Sequence, residues 1–233
     1  NSKNPILSIY LKYILKNANY FTSDSRYMAE EMRKLSTRPL DILIANFGIK
    51  SCKKPIRKEK IIYSNRNHNN LYNIDKIILF FEAFVQTNYG KDWKLVIAGS
   101  GKNTDSLKSL VESKKIKDKV DFVGFLGFEE NNEYYNRSMI YMSIPDSDAT
   151  SISLLEAMYA GCIPVLSDLP ANKEWVKDGI NGIIYTNNLN VLIKKMEALD
   201  INKLNNINQE LIKKNGLAKE NKKKFFGLYK RII

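Results

Sequence analysis

KLVIAGSGKNTDSLKSLVESKKIKDKVDFVGF, Lys94–Phe125, decides the fold of this chain. It opens on a short apolar run, Lys94–Gly99 (KLVIAG), which reads as a buried strand. Leu107, Leu110 and Val111 then recur at helical spacing, and Val120–Phe125 (VDFVGF) is a second strand. The same alternation continues on both sides. Upstream, Lys60–Asn65 (KIIYSN) is a strand, and Ile74, Ile77, Ile78, Phe81, Phe84 and Val85 form one face of the helix after it. Downstream come a helix over Glu129–Asn136, a strand Met139–Ile144 (MIYMSI), a helix Ser151–Ala160 and a strand Ile163–Ser167. A helix around Ala171–Lys177, a strand Gly182–Thr186 and a closing set of helices complete the order. Strands separated by helices predict an α/β fold, a Rossmann-like doubly wound parallel sheet from about Pro55 to Asp200.

The first fifty-odd residues do not start that sheet. They carry an apolar helix around Ile6–Leu15, a strand Tyr20–Ser23, a polar helix near Arg26–Leu35 and a strand Ile42–Ala45. Ser51–Lys60 (SCKKPIRKEK) follows as a linker, marked by its charge run and proline. Asn1 in place of methionine suggests a processed or excised chain.

The chain has 233 residues, 44% of them hydrophobic, enough for a core without disulfides or a structural metal. Two cysteines, Cys52 and Cys162, and one histidine, His68, offer no disulfide framework and no multi-histidine site. Without an apolar run of membrane-spanning length or a signal peptide, a cytoplasmic protein is expected. The net charge of +12 comes mostly from lysines spread from Lys53 and Lys54 to Lys222, Lys223 and Lys224. No arginine-rich arm or RNA-binding signature accompanies them, so nucleic acid is not the expected partner. Weak attraction to an anionic membrane surface stays open.

Two segments carry candidate chemistry. Gly99-Ser100-Gly101-Lys102 lacks the further glycine of a Walker loop and the spacing of a dinucleotide fingerprint. Its glycines read as a tight turn beside a ligand. In Pro145–Gly161, PDSDATSISLLEAMYAG, a strand runs through small and acidic residues into a helix beginning near Ser151, Ile152 and Ser153. Free N–H groups and the positive end of the helix dipole suit a phosphate there. Glu156 shares a helical face with Ser153 and can accept hydrogen bonds from a ribose diol. The competing reading makes Ser151 a plain N-cap and Glu156 an exposed acid. His68 reads as a solvated loop residue. Tyr134, Tyr135 and Tyr141 read as packing, Trp175 as a helix anchor and Cys162 as a small buried hydrophobe.

Ser151–Gly182, SISLLEAMYAGCIPVLSDLPANKEWVKDGING, resembles the signature of the family 4 retaining glycosyltransferases of the GT-B fold, and the likeness extends over Lys60–Leu199. Tyr20–Lys50 resembles the end of that family's N-terminal lobe. Gly216–Ile233 resembles the C-terminal helix that returns to it. The resemblance implies three parts: 1–54, a remnant of the acceptor lobe with its linker; 55–215, the nucleotide-sugar-binding domain; and 216–233, the returning helix.

The resemblance also implies roles. The donor is a UDP- or GDP-sugar and the acceptor a glycan or lipid-linked sugar, as in cell-surface polysaccharide or lipopolysaccharide synthesis. Of the family's two acids, Glu156 matches the second, which binds the ribose, and Asp148 stands at the first, which contacts the transferred sugar. Gly124-Phe125-Leu126 corresponds to the loop that holds the base; Gly99 and Gly101, read above as a turn beside a ligand, are expected to bind the same substrate. Arg66 matches the arginine of a basic pair that meets the departing diphosphate, while the lysine position falls on Tyr72 with one residue inserted in the loop, or on Leu71 without it, and neither supplies a cation. No cofactor or metal is expected. Asp146 and Asp148 spell D-S-D, but this fold class stabilises diphosphate with basic groups and helix ends. An inactive nucleotide-sugar-binding module and a basic nucleic-acid-binding α/β protein are the alternatives.

Overall fold

The computed structural model describes residues 5–50 and 57–232. Six parallel strands form the main sheet: β3 (Glu59–Ser64), β4 (Lys94–Ala98), β5 (Val120–Gly124), β6 (Ser138–Ser143), β7 (Ile163–Leu166) and β8 (Ile183–Ile184). Their order is β5-β4-β3-β6-β7-β8. The chain therefore winds outward from β3 to β5, returns beside β3 as β6, and winds outward the other way. This is the Rossmann order, with its switch point between β3 and β6. The expected doubly wound parallel sheet is present.

Helices α3 (Ile74–Val85), α4 (Thr104–Ser113), α5 (Phe128–Arg137), α6 (Ile152–Tyr159), α7 (Pro170–Lys173), α8 (Leu189–Glu197) and α9 (Ile201–Asn215) surround it. Successive strand residues face opposite sides of the sheet, so each strand feeds two cores. Ile62, Leu95, Ile97, Ile140 and Met142 pack with Ile77, Phe81 and Phe84 of α3 and with Leu192 and Met196 of α8. Their neighbours Tyr63, Val96 and Tyr141 pack on the other face with Leu155 and Met158 of α6 and Ile212 of α9. Cys162 and Trp175 lie buried in that second core, as their sequence context suggests.

The N-terminal segment comprises α1 (Pro5–Asn17), β1 (Phe21–Ser23), α2 (Arg26–Leu35) and β2 (Ile42–Ile44). β1 and β2 make a separate parallel pair, Phe21 opposite Ile42, over a small core of Leu15, Phe21, Ala29, Leu40 and Ile42. The closing helix α10 (Ala218–Ile232) packs back on this segment. Asn221 Nδ2 donates to Asn46 Oδ1 at 3.0 Å, and the Phe225 and Phe47 rings stack at 6.3 Å.

Three expectations need correction. Glu59, assigned to the linker by its charge, begins β3 ahead of Lys60, because Ile61, Ile62 and Tyr63 behind it are buried in the sheet. Residues 51–56, with Cys52 and the 54/55 boundary, lie outside the described residues. The helix around Ala171–Lys177 stops at Lys173, where Trp175 turns into the core, and β8 spans only Ile183 and Ile184.

Candidate active site at the sheet switch point

Both strands that flank the switch point end in the candidate residues. β3 runs into Asn65 and Arg66, and β6 runs through Ile144 and Pro145 to Asp146 and Asp148. Ligands of open α/β sheets bind in the crevice that opens here. Arg66 Nη2 contacts Asp148 Oδ2 at 2.7 Å, and Arg66 Nη1 donates to Ser151 Oγ at 2.8 Å. The guanidinium carbon stands 4.5 Å from the centre of the Tyr72 ring. Only 11% of the Arg66 side chain is exposed, so the sequence-predicted arginine, acid and serine form one compact, half-buried unit.

Ser151 holds the N-cap position of α6, yet its side chain caps no helix amide. Its hydroxyl is turned to Arg66, which decides against the plain capping alternative and leaves the first N–H groups of α6 open to an anion. Ile152 is exposed and Ser153 half-buried at that end. Glu156 is half-buried, not the exposed acid of the competing reading. Burial pushes its carboxyl above the usual range, and a hydrogen bond from Tyr135 partly opposes the shift.

A polar network missed in the sequence supports these groups. Asn65 Nδ2 donates to Tyr135 OH at 2.6 Å and to Asn131 Oδ1 at 2.9 Å, while Tyr141 OH donates to Asn65 Oδ1 at 3.1 Å. Tyr63 OH donates to Asn131 Oδ1 at 2.7 Å. Burial raises the pKa of all three phenols, so they stay protonated donors at neutral pH. Tyr135 and Tyr141 pack as expected, but their hydroxyls reach the site. The available signal was Tyr63 and Asn65 at i, i+2, which puts both on the strand face that Tyr141 joins in register.

Gly99 and Gly101 serve a closer approach than a turn requires. A Cβ at Gly99, where φ is +106°, would fall 2.5 Å from the Arg66 carbonyl oxygen. One at Gly101 would fall 2.6 Å from that of His68. The glycines thus let the β4 loop lie against the loop that carries Arg66. His68 between them is 1% exposed, and its Nδ1 contacts Thr104 Oγ1 at 2.9 Å. It is a buried brace, not a solvated histidine, because the two glycines bring the β4 loop over it. Burial lowers its pKa, with the Ala98 carbonyl opposing.

Asp146 and Asp148 point to different partners. Asn73 Nδ2 donates to Asp146 Oδ1 at 2.7 Å, and Lys76 Nζ lies 3.8 Å from the same oxygen. Among the described residues no three acidic, histidine or cysteine side chains gather into a metal-binding group. Phe125, just beyond β5, is 84% exposed, with Leu126 half-buried beside it. The Gly99 N–H donates to the Gly124 carbonyl at 2.6 Å, which joins that loop to the rim of the site.

The family model described as glycosyl transferases group 1 matches residues 49–219. The chain belongs to this family. Within it, this chain is 30% identical over 110 residues to an uncharacterized glycosyltransferase of Haemophilus influenzae, covering 46% of this chain and 31% of the relative. It is 25% identical over 117 residues to the GDP-mannose:cellobiosyl-diphosphopolyprenol alpha-mannosyltransferase of Xanthomonas oryzae pv. oryzae, covering 48% of this chain and 31% of the relative. The pneumococcal O-GlcNAc transferase GtfA, solved with UDP and GlcNAc, superposes with a TM-score of 0.84 at 15% identity, over 96% of this chain and 48% of that one. The matches thus span about a third of these curated relatives and about half of the solved structure. The GT-B fold is shared. No helix among the described residues is long and apolar enough to cross a membrane.

Proposed function

We propose that this glycosyltransferase carries the donor site of a family 4 enzyme that transfers a hexosyl group from a UDP- or GDP-sugar with retention at the anomeric carbon. One observation carries the reading: Arg66, Asp148 and the uncapped start of α6 meet at the switch point. The donor diphosphate would sit between the Arg66 guanidinium and the first N–H groups of α6. As the sugar departs, negative charge grows on the leaving phosphate, and these preorganised donors stabilise it. Asp148 would then face the sugar and Glu156 the ribose diol. Gly99, Gly101, Phe125, Leu126, Ile152 and Ser153 would line the donor. Both acids of D-S-D already have partners, so the basic group and the helix end, with no metal or cofactor, are assigned the diphosphate charge.

The acceptor is proposed to be a glycan or lipid-linked sugar of cell-surface polysaccharide or lipopolysaccharide synthesis. Support comes from the diphosphopolyprenol acceptor in the Xanthomonas relative's name. We assign residues 1–54 to the end of the acceptor lobe, 55–215 to the donor domain and 216–233 to the helix that returns, supported by the Asn46–Asn221 contact. The enzyme would work in the cytoplasm, peripheral to an anionic membrane.

Calorimetric titration with UDP, GDP and a short oligonucleotide at two salt concentrations tests the reading. Saturable binding of one nucleoside diphosphate is expected. Steeply salt-dependent oligonucleotide binding alone would replace it with a nucleic-acid function.

A further inference from the structure

Arg66 is held through its Nη atoms by Asp148 and Ser151, and its guanidinium carbon lies over the Tyr72 ring, 4.5 Å from the ring centre. The ring is itself fixed. Tyr72 ends a single 3₁₀ turn, Asn70–Tyr72, and the next residue, Asn73, adopts the left-handed conformation with φ of 51°. Asn73 Nδ2 donates to the Ile144 carbonyl at 2.9 Å, and the Asp146 N–H donates back to the Leu71 carbonyl at 2.9 Å. The turn is thus tied from both ends to the segment that leaves β6. Tyr72 is half-buried and packs against the main core, so its ring has little freedom to follow the arginine.

A guanidinium can be engaged in two independent ways. Its face stacks on an aromatic ring, and its edge donates in-plane hydrogen bonds. Stacking the face on a fixed ring leaves the edge as the only direction in which Arg66 can donate. That edge points at Asp148 and Ser151, at the mouth of α6.

We propose that Tyr72 is a positioning residue for donor binding: its ring face holds the Arg66 face so that the guanidinium edge stays aimed at the diphosphate position in front of α6. The inference rests on the donor reading above. When the diphosphate enters, Arg66 exchanges Asp148 for a phosphate oxygen by moving its edge within the plane of the stack. Asp148 is released toward the sugar in the same movement. No covalent step is involved.

The test is a double-mutant cycle on the full chain, read as UDP and GDP affinity by calorimetry. Tyr72→Phe keeps the ring and should bind within about twofold of wild type. Tyr72→Leu, with Tyr72→Met as a second aliphatic variant, should weaken binding about 3- to 30-fold, the usual span of a cation–π contact. In an Arg66→Ala background the same change should have almost no effect, because the two residues act as one unit. In wild type and Tyr72→Phe the Arg66 side-chain proton resonances should carry a ring-current shift that Tyr72→Leu abolishes. A Tyr72→Leu or Tyr72→Met protein that binds as tightly as wild type would overturn the role of Tyr72. So would an equal loss with and without Arg66, since that marks a merely structural residue. If wild type binds neither nucleotide, the donor reading itself falls.

Discussion

Asn65 and Tyr135 meet at 2.6 Å, with the amide of the residue that follows β3 donating to a phenol on α5. With its oxygen lone pair so used, the Tyr135 hydroxyl is free to donate a hydrogen bond to Glu156 on α6. One asparagine therefore connects the strand that delivers Arg66 to the acid proposed to hold the ribose. Replacing Asn65 with Ala removes one hydrogen-bond partner from each of the buried hydroxyls of Tyr135 and Tyr141. A loss of about 1–3 kcal/mol is expected in urea unfolding. Unchanged stability would mean that the tyrosines find other partners and that the network is incidental.

Glu156 should cost stability in the free protein. Its carboxyl pKa is raised by burial, so the folded state holds the proton to a higher pH than the unfolded state does. As pH rises from the ordinary carboxyl range through the raised value, the folded protein binds more protons than the unfolded one, and stability falls. Glu156→Gln should therefore raise the melting temperature at pH 7 and leave it nearly unchanged below about pH 4, where both states are protonated. A variant less stable at both pH values would show that the carboxylate is structurally satisfied.

The same residue should be needed for the donor. Glu156→Ala removes hydrogen bonds to a charged group, a loss of about 1.5–3 kcal/mol. That is roughly 10- to 150-fold in nucleoside diphosphate affinity. Together with higher stability of Glu156→Gln, this outcome would mark a strained group kept for function. Equal affinity in a folded Glu156→Ala protein would remove the ribose role.

Arg66 should act on turnover beyond its part in holding the nucleoside diphosphate, because the charge it meets there grows as the sugar leaves. In the full-length enzyme Arg66→Ala should lower the maximal rate by about 10²- to 10³-fold, the usual effect of removing one stabilising donor. Normal turnover at saturating donor would place the leaving diphosphate elsewhere.

What the sequence made legible follows from the range of the forces involved. Strand and helix periodicities are local, so the runs around Ile62, Leu95 and Ile140 and the stripe from Ile74 to Val85 announced the sheet and its cover. Ser151 and Glu156 were also visible, because the helix start follows from the element order, whereas Arg66 and Asp148 were marked only by the family resemblance. His68 was misread because its burial comes from two glycines over thirty residues away, whose missing Cβ atoms let another loop close over it. Asn65 was missed because a single amide at a strand end looks like an ordinary turn residue until three tyrosines from β3, α5 and β6 converge beside it. Tyr72 became meaningful only with the arginine seen on its ring.

The last prediction concerns the N-terminal helix. In α1 only Leu15 is buried, while Ile6 is 76% and Ile9 70% exposed. The closing helix α10 is better anchored: Leu228 is buried, Asn221 bonds Asn46 and Phe225 stacks on Phe47, although Phe226 and Tyr229 remain exposed. Amide protection follows the local opening free energy, which is low where few apolar contacts are buried. Exchange should therefore be fast in residues 6–14, intermediate in 218–231, and slow in 94–98 and 163–166, whose strands lie inside the main sheet. Adding anionic vesicles to the full chain should slow exchange in residues 6–14 if Lys12 and Lys16 bring the apolar face of α1 to a lipid surface, since burial of that face scales with its area. Neutral vesicles should have a weaker effect, because the lysines then gain no attraction. Slow exchange in residues 6–14 without any lipid would show that α1 is covered in solution by another copy of the chain. Unchanged fast exchange with anionic vesicles would remove the membrane contact from the proposed function.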